Sequence, residues 1–158
     1  MSPSSTAYIP MDGYHFTRAQ LSAMPDPATA HARRGAAFTF DAYAFLSLIR
    51  SLREPVTPGS PSIYAPSFDH AVKDPKPDDI EILPSHRVVV VEGNYLALDE
   101  DVWRDAAGLF DELWFVDVDF DVAKRRLIVR HLAAGLAENE EAAERRAAEN
   151  DLVNALGE

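Results

Sequence analysis

A chain of 158 residues is long enough to bury one hydrophobic core, and we expect a single domain over residues 1–158. Its 15 lysines and arginines against 26 acidic residues give a net charge of −11, which argues against nucleic acid or an anionic membrane as partners. The chain has no cysteine, which excludes disulfides and cysteine-ligated zinc, and no apolar run approaches the roughly 20 residues of a membrane span. These features predict a cytoplasmic protein.

In the first half of the chain, one strand and one helix are predicted. The apolar run at residues 7–9 predicts a strand that ends just before Asp12. Residues 41–53 carry apolar side chains at helical spacing, with Asp41 as the N-cap. Residues 54–86 contain seven prolines, so we expect a loop with short extended pieces at 62–64 and 80–82.

The second half is predicted to hold two strands and three helices. A continuous β-branched run at residues 87–93 predicts a parallel strand buried on both faces, and a second strand is predicted at 112–118. The helices are predicted at residues 99–108, 119–134 and 138–156, with Asp99 and Gly108 bounding the first and Gly135 ending the second. This alternation predicts an α/β domain with a mostly parallel sheet, whose ligands bind beyond the carboxyl ends of the strands.

Two carboxylates follow predicted strands and would face that crevice. Asp12 follows the run at 7–9, and Glu92 follows the valines at 88–91. Paired carboxylates with grouped arginines suggest phosphoryl transfer, in which Asp12 accepts the proton of a hydroxyl and Glu92 holds Mg²⁺ directly or through water. The arginine groups suit forked recognition of a small anionic ligand, and they stand at residues 33–34, 125–130 and 145–146.

Six stretches carry a family resemblance: MDGYHF, RRGAAFTFDAYAF, YAPSFDHAVKDP, VVVVEGNYLAL, RLIVRH and the closing Asn150-Asp151. Together they resemble the phosphoribulokinase/uridine kinase family of P-loop kinases, nearest to its pantothenate-kinase-like and sugar-kinase-like members. The resemblance runs over nearly the whole chain. It implies a P-loop-kinase-like parallel sheet with flanking helices, ATP and Mg²⁺ as cofactors, and phosphorylation of a hydroxyl on a nucleoside, pantothenate or a sugar.

The same resemblance assigns roles on the acceptor side. Asp12 matches the base near the acceptor hydroxyl. His15, Tyr64 and His70 match positions near the acceptor pocket, and Arg34 is assigned to the same substrate-binding group.

On the phosphate side, Glu92 matches the metal and nucleotide site. Arg126, Arg130 and His131 resemble a mobile lid over the phosphates. Arg130 is the catalytic member of that group, while Arg126 and His131 would contact the nucleotide.

The chain departs from the family pattern at the phosphate loop. It contains no Gly-Lys pair and therefore no GxxxxGK[ST] motif, so the first strand and the phosphate loop are expected to be missing, as is a last strand after Leu156. Buried unpaired backbone groups cost about 1–3 kcal/mol each. We therefore expect that the chain closes the gap, borrows a strand from another copy or another strand-complementing partner, or is a fragment of a longer kinase. A non-catalytic binding or regulatory module is the alternative function.

The site candidates also have structural alternatives. Asp12 before a glycine fits a turn, and Glu92 before a glycine fits a strand-end cap. His15 and His70 fit core or surface histidines bonded to backbone.

Arginines on the last two predicted helices fit ion pairs with neighbouring acids. These are Arg125, Arg126 and Arg130 beside Asp119 and Asp121, and Arg145 and Arg146 among glutamates. Three aromatic side chains are predicted to lie in the core, namely Trp103, Trp114 and Phe115.

Overall fold

The computed structural model describes residues 5–152, which fall into two compact units. The first comprises residues 5–34 and 38–113, and the second comprises residues 35–37 and 114–152. No helix among these residues has both the length and the apolar character needed to span a bilayer. The prediction of one domain over residues 1–158 stays a prediction.

The first unit contains four strands and four short or medium helices. The strands are β1 (Thr6–Pro10), β2 (Ile63–Asp69), β3 (Asp74–Ile82) and β4 (Val88–Glu92). The helices are α1 (Arg18–Ser22), α2 (Pro27–Ala32), α3 (Ala42–Arg53) and α4 (Trp103–Ala107), with a 3-10 turn at Met11–Tyr14. A further 3-10 turn, Ala37–Thr39, begins at the last residue of the segment 35–37.

The strands β1 and β4 form a parallel pair, with Pro10 opposite Glu92. Ala7 and Ile9 are buried while Tyr8 between them is exposed, which is the alternation expected of a half-covered strand. The predicted strand at 7–9 is thus confirmed, as is the α/β class with a parallel sheet and flanking helices.

Burial of the valine strand on both faces was a wrong prediction. Val88 and Val90 are about half exposed on β4. Among the described residues β4 pairs with β1 alone, so this two-stranded sheet lacks the cover that a central parallel strand receives.

The proline-rich segment contains a β-hairpin. The extended pieces predicted at 62–64 and 80–82 lie at the start of β2 and the end of β3, and the two strands are longer than predicted. The strands β2 and β3 pair antiparallel, and the register shifts between Ala65 and Ser67, on either side of Pro66. Proline is tolerated at bulges and on edge strands because no ladder hydrogen bond is needed there. A two-stranded hairpin consists of edge strands only, so the prolines did not exclude pairing.

The helix α3 supplies much of the core and begins where predicted. The carboxylate of Asp41 accepts a hydrogen bond from the Ala44 amide (2.9 Å), and Phe45 and Ile49 are buried. Helix α4 is shorter than the predicted 99–108, because the Asp99 carboxylate binds Arg104 instead of capping the helix.

The second unit consists of helix α5 (Phe120–Ala133), helix α6 (Glu140–Arg146) and a π-helical turn over Ala147–Asp151. Asp119 caps α5 by accepting hydrogen bonds from the Asp121 and Val122 amides (3.0 and 3.1 Å), so the predicted helix at 119–134 is confirmed. Helix α6 begins after Asn139, close to the predicted start at 138. Its predicted end at 156 lies outside the described residues.

The predicted strand at 112–118 is absent: the described chain has no regular structure there. Trp114, Phe115 and Val116 are 87%, 82% and 82% exposed, so the prediction that both aromatics lie in the core was wrong. Trp103, by contrast, is buried as predicted. Aromatic and β-branched residues favour a strand only when a neighbouring strand offers backbone groups to pair with. This explains why residues 112–118 have strand-forming side chains but no strand structure.

Candidate functional site

The two acidic motifs meet at the carboxyl end of the parallel pair. Glu92 ends β4 opposite Pro10, and Asp12 lies in the 3-10 turn that follows β1. The hydroxyl of Tyr8 donates to Glu92 Oε2 (3.3 Å). Desolvation raises the pKa of Tyr8, and the carboxylates of Glu92 and Asp12 raise it further, so both acids act on the same phenol. Tyr8 was missed in the sequence because its importance depends on which strand lies beside it.

Two glycines permit this close approach. A Cβ on Gly13 would lie 2.2 Å from the carbonyl oxygen of Pro66 on β2, and a Cβ on Gly93 would lie 2.4 Å from the Met11 Cβ. Real Cβ atoms essentially never come so close to a neighbouring atom. The absence of a side chain at these glycines therefore lets the backbone after Asp12 pack against Pro66, and the backbone after Glu92 pack against Met11.

His15 is held firmly beside Asp12. Its Nδ1 donates to the Asp12 carbonyl oxygen (2.8 Å) and lies 3.9 Å from Asp12 Oδ1. The ring packs on Phe40 and Phe68, with centroid distances of 3.9 and 5.0 Å. The His15 side chain is 11% exposed, whereas that of Asp12 is 50% exposed. This geometry leaves the carboxylate accessible while the imidazole supports the turn beneath it.

Burial lowers the pKa of His15, and this desolvation outweighs the opposing influence of Asp12. The positive charge of Arg34 and the nearby His70 lower the pKa further. The imidazole is therefore a neutral donor at neutral pH, in keeping with its hydrogen bond to a carbonyl oxygen.

Arg34 links the segment after β1 to the β2–β3 hairpin. Its Nη1 donates to the Lys73 carbonyl (2.6 Å), and its Nη2 donates to the Phe16 carbonyl (3.0 Å) and to Asp74 Oδ1 (3.2 Å). The guanidinium also lies over the Phe68 ring at 5.4 Å. Both terminal nitrogens thus bind protein oxygens, and the substrate-binding role of Arg34 stays a prediction.

The other two predicted acceptor residues lie on and after β2. The His70 ring is 5.1 Å from Phe68, so His15 and His70 contact the same aromatic ring. Tyr64 is exposed and its hydroxyl donates to Glu81 Oε1 on the neighbouring strand (3.0 Å). The structure therefore brings His15 and His70 together around Phe68 and joins Tyr64 to Glu81.

The predicted lid residues belong to the second unit. Arg126 and Arg130 are exposed on α5, one helical turn apart. His131 is only 2% exposed, and its Nε2 lies 3.4 Å from Asp151 Oδ2. In α6, Arg145 pairs with Glu141 (2.6 Å), as the ion-pair alternative predicted. The nucleotide-contact roles of Arg126, Arg130 and His131 stay predictions.

The described residues do not fit an Mg-ATP site by themselves. The glycines that follow Asp12 and Glu92 are packed against protein atoms, so neither opens a backbone cradle for phosphate. Within residues 5–152, no three histidine, aspartate or glutamate side chains cluster as a metal site would require. Glu92 can offer one exposed carboxylate, which suits a hard cation only together with other ligands.

Comparison with known proteins identifies the family. No protein-family model matches the chain. An ATP-dependent kinase-like protein, notR' of Aspergillus versicolor, is 54% identical over 145 residues, covering 92% of this chain and 84% of the relative. The crystal structure of YFH7 from Saccharomyces cerevisiae, assigned as a P-loop-containing kinase with a circular permutation, matches with a TM-score of 0.85 and 32% identity. The chain belongs to the P-loop kinase family.

Two other similar proteins are longer than this chain. A Schizosaccharomyces pombe protein assigned as a uridine kinase is 44% identical over 146 residues, which cover 92% of this chain but 61% of the relative. The match to YFH7 covers 99% of this chain and 54% of that kinase. The chain thus spans little more than half the length of these two kinases, and the particular subfamily stays a prediction.

Proposed function

We propose that this chain supplies the acceptor side of an ATP-dependent small-molecule kinase. The observation that carries the proposal is the Asp12 carboxylate, which is half exposed beside the Glu92 motif at the carboxyl end of a parallel strand pair. The acceptor is a hydroxyl of a nucleoside, pantothenate or a sugar. The cytoplasm is the location that we propose.

In this proposal Asp12 accepts the proton of the attacking hydroxyl. General-base catalysis requires a carboxylate within hydrogen-bond reach of that proton, on a support that fixes its direction. The hydrogen bond from His15 to the Asp12 carbonyl, together with the close packing at Gly13, fixes the turn. His15 is thus a positioning residue, and Asp12 is the catalytic one.

Four further side chains are assigned to the phosphate side in this proposal. Glu92 is the proposed ligand for Mg²⁺, and Arg126, Arg130 and His131 are the proposed lid. When bound, Mg-ATP supplies the phosphoryl group and the charge neutralisation that its transfer requires. The 158 residues contain no Gly-Lys pair, so in this proposal a partner or a further segment supplies the phosphate loop.

A non-catalytic module is the second candidate function. It is favoured by the packing of Gly13 and Gly93 against protein atoms, because the backbone at these glycines is then not open to bind phosphate. Such a module would keep the acceptor pocket and would regulate or pair with an intact kinase.

Calorimetric titration with Mg-ATP tests the proposal on three proteins. These are the chain itself, a version extended upstream with a strand and a GxxxxGK[ST] loop, and the extended version carrying Asp12→Asn. We expect nucleotide binding only with the extension. Turnover of uridine, pantothenate or fructose should fall about 100-fold or more in the Asp12→Asn version, since general-base catalysis contributes 10²–10⁴-fold.

Asp111→Asn is the matched control, because it removes an exposed carboxylate at a site that the proposal does not use. Full turnover in the Asp12→Asn version would contradict the role of Asp12. Nucleotide binding without turnover of any acceptor would favour the non-catalytic module.

A further inference from the structure

The guanidinium of Arg34 binds three oxygen atoms from two segments of the first unit. Its Nη1 donates to the Lys73 carbonyl (2.6 Å), between β2 and β3. Its Nη2 donates to Asp74 Oδ1 at the start of β3 (3.2 Å) and to the carbonyl of Phe16 (3.0 Å), which follows the turn carrying Asp12. The remaining nitrogen, Nε, is buried and has no hydrogen-bond partner among residues 5–152. Arg34 therefore joins the β2–β3 hairpin to the segment after β1.

Asp74 fixes the direction of this guanidinium. Its Oδ1 also accepts a hydrogen bond from the Arg18 amide (2.8 Å), and its Oδ2 lies 3.7 Å from Arg18 Nε. Burial raises the pKa of Asp74, but the Arg18 amide and the two guanidinium groups lower it by more, so the net shift is downward. The carboxylate is therefore charged at neutral pH. Its hydrogen bond with Arg34 joins two side chains that are only 24% and 17% exposed, and a charge-assisted bond of this kind restricts both groups.

A continuous series of contacts runs from Arg34 to the backbone of Asp12. The central carbon of the guanidinium lies 5.4 Å from the Phe68 ring centroid, within reach of a cation–π contact. The Phe68 ring in turn lies 5.0 Å from the ring of His15. The backbone amide and Nδ1 of His15 both donate to the Asp12 carbonyl oxygen (3.1 and 2.8 Å). A change at Arg34 can therefore reach Asp12 through two aromatic contacts and a pair of hydrogen bonds.

We propose that Arg34 is a positioning residue for the Asp12 carboxylate. It keeps Phe68 against His15 and binds the Phe16 carbonyl, so the turn that precedes His15 presents the carboxylate in one direction. This inference rests on the proposed function, and it gives Arg34 a role other than direct contact with the acceptor. A general base depends on such support, because a displacement of about 1 Å can cost about 100-fold in rate.

The first test is spectroscopic and uses the chain itself. Arg34→Lys keeps the positive charge, but one ammonium group cannot replace a planar fork that binds three oxygens and stacks on a ring. In the native chain, imidazole nitrogen NMR at neutral pH should show His15 uncharged and protonated at Nδ1, as its bond to a carbonyl requires. In Arg34→Lys this tautomer should lose population to the Nε2–H form. The His15 amide should also exchange about tenfold faster relative to the Phe45 amide of α3.

The second test measures steady-state kinetics in the version extended with a phosphate loop. In Arg34→Lys, kcat should fall by about tenfold or more while KM for the acceptor changes by less than about twofold, because orientation is lost rather than binding. Asp74→Asn keeps an oxygen for the Arg18 amide but removes the charge that faces Arg34, and it should lower kcat in the same way. The double variant should lose less than the product of the two single losses, since both substitutions act on the same contacts.

Arg50→Lys is the matched control, because Arg50 is an exposed arginine on α3 outside this series of contacts, and both measurements should equal those of the native residue. A rise in KM with kcat unchanged in Arg34→Lys would overturn this inference and leave the acceptor function standing, with Arg34 in contact with the substrate. An unchanged His15 tautomer would overturn the inference as well. If the extended protein with Arg34 intact turned over no acceptor, the proposed function would fail, and this inference with it.

Discussion

Gly13 and His15 determine how Asp12 is presented. The glycine brings the turn against the Pro66 carbonyl, and the imidazole binds the carbonyl of Asp12 itself. Both residues were visible in the stretch MDGYHF, but their partners Phe40, Phe68 and Pro66 were not. The position of Asp12 just after a strand was therefore predictable from the sequence, whereas the contacts that hold Gly13 and His15 in place required the structure.

Gly13→Ala should destabilise the first unit by about 1–3 kcal/mol, because the added methyl overlaps a backbone oxygen that cannot move freely. Gly108→Ala is the matched control. Its Cβ would meet Arg104 O at 3.6 Å, an ordinary contact, and its φ is −66°, so a gain of about 0.4–1 kcal/mol is expected. Urea denaturation gives both values, and equal stability of the two variants would contradict the packing argument.

The stability of the chain should decrease as pH falls below about 6.5, the ordinary pKa of histidine. Burial lowers the folded-state pKa of His15, so the unfolded chain takes up a proton that the folded chain does not. The contribution is complete above about 6.5 and is lost as pH falls towards the folded-state pKa, with a slope of at most about 1.4 kcal/mol per pH unit.

His15→Asn isolates this contribution, because the asparagine amide can still donate to the Asp12 carbonyl but does not titrate. We expect the free energy of unfolding, measured by denaturation between pH 8 and pH 5, to depend less on pH in the variant than in the native chain. If the free energy of unfolding changed with pH to the same extent in both proteins, His15 would not be the source of the pH dependence.

At the scale of elements, one helix cap was predictable and the strand partners were not. Asp41 caps α3 as predicted, because a cap depends on residues two or three positions away. The predicted cap at Asp99 is absent, since its carboxylate binds Arg104. The β2–β3 hairpin was hidden by its prolines, which only a central strand would forbid.

Asp119→Ala should destabilise the second unit by about 1 kcal/mol, since the first turn of α5 loses two cap hydrogen bonds. Asp121→Ala is the control, because it removes an acid from the same turn without removing the cap. Hydrogen exchange of the α5 amides reports the change locally. Faster exchange in both variants to the same degree would show that helix charge, rather than capping, stabilises this end.

At the scale of the whole molecule, the unexpected feature is unpaired strand-forming sequence. Among the described residues β4 pairs only with β1, and Phe115 and Val116 are exposed in a segment with strong strand preference. Open edges and exposed segments of this kind promote pairing with another chain. We propose a second copy of this chain as the strand-complementing partner.

Sedimentation at increasing protein concentration should therefore show self-association. Phe115→Lys combined with Val116→Lys should weaken it by about tenfold or more, because charges oppose strand addition. Val129→Lys replaces another exposed apolar residue of the same unit, on α5, and should leave it unchanged. A chain that sediments as a monomer at every concentration would contradict this proposal.

The sequence by itself determined the kinase family, the strand before Asp12, the Asp41 cap of α3 and the position of Glu92 at the end of β4. These signals lie within a few residues of one another, so local chemistry is enough to specify them. Only the tertiary structure decided that residues 112–118 stay irregular, that Arg34 binds protein oxygens, and that Tyr8 donates to Glu92. Each of these outcomes depends on a partner supplied from a distant part of the chain, and side-chain burial and strand pairing are set by such partners rather than by intrinsic preference.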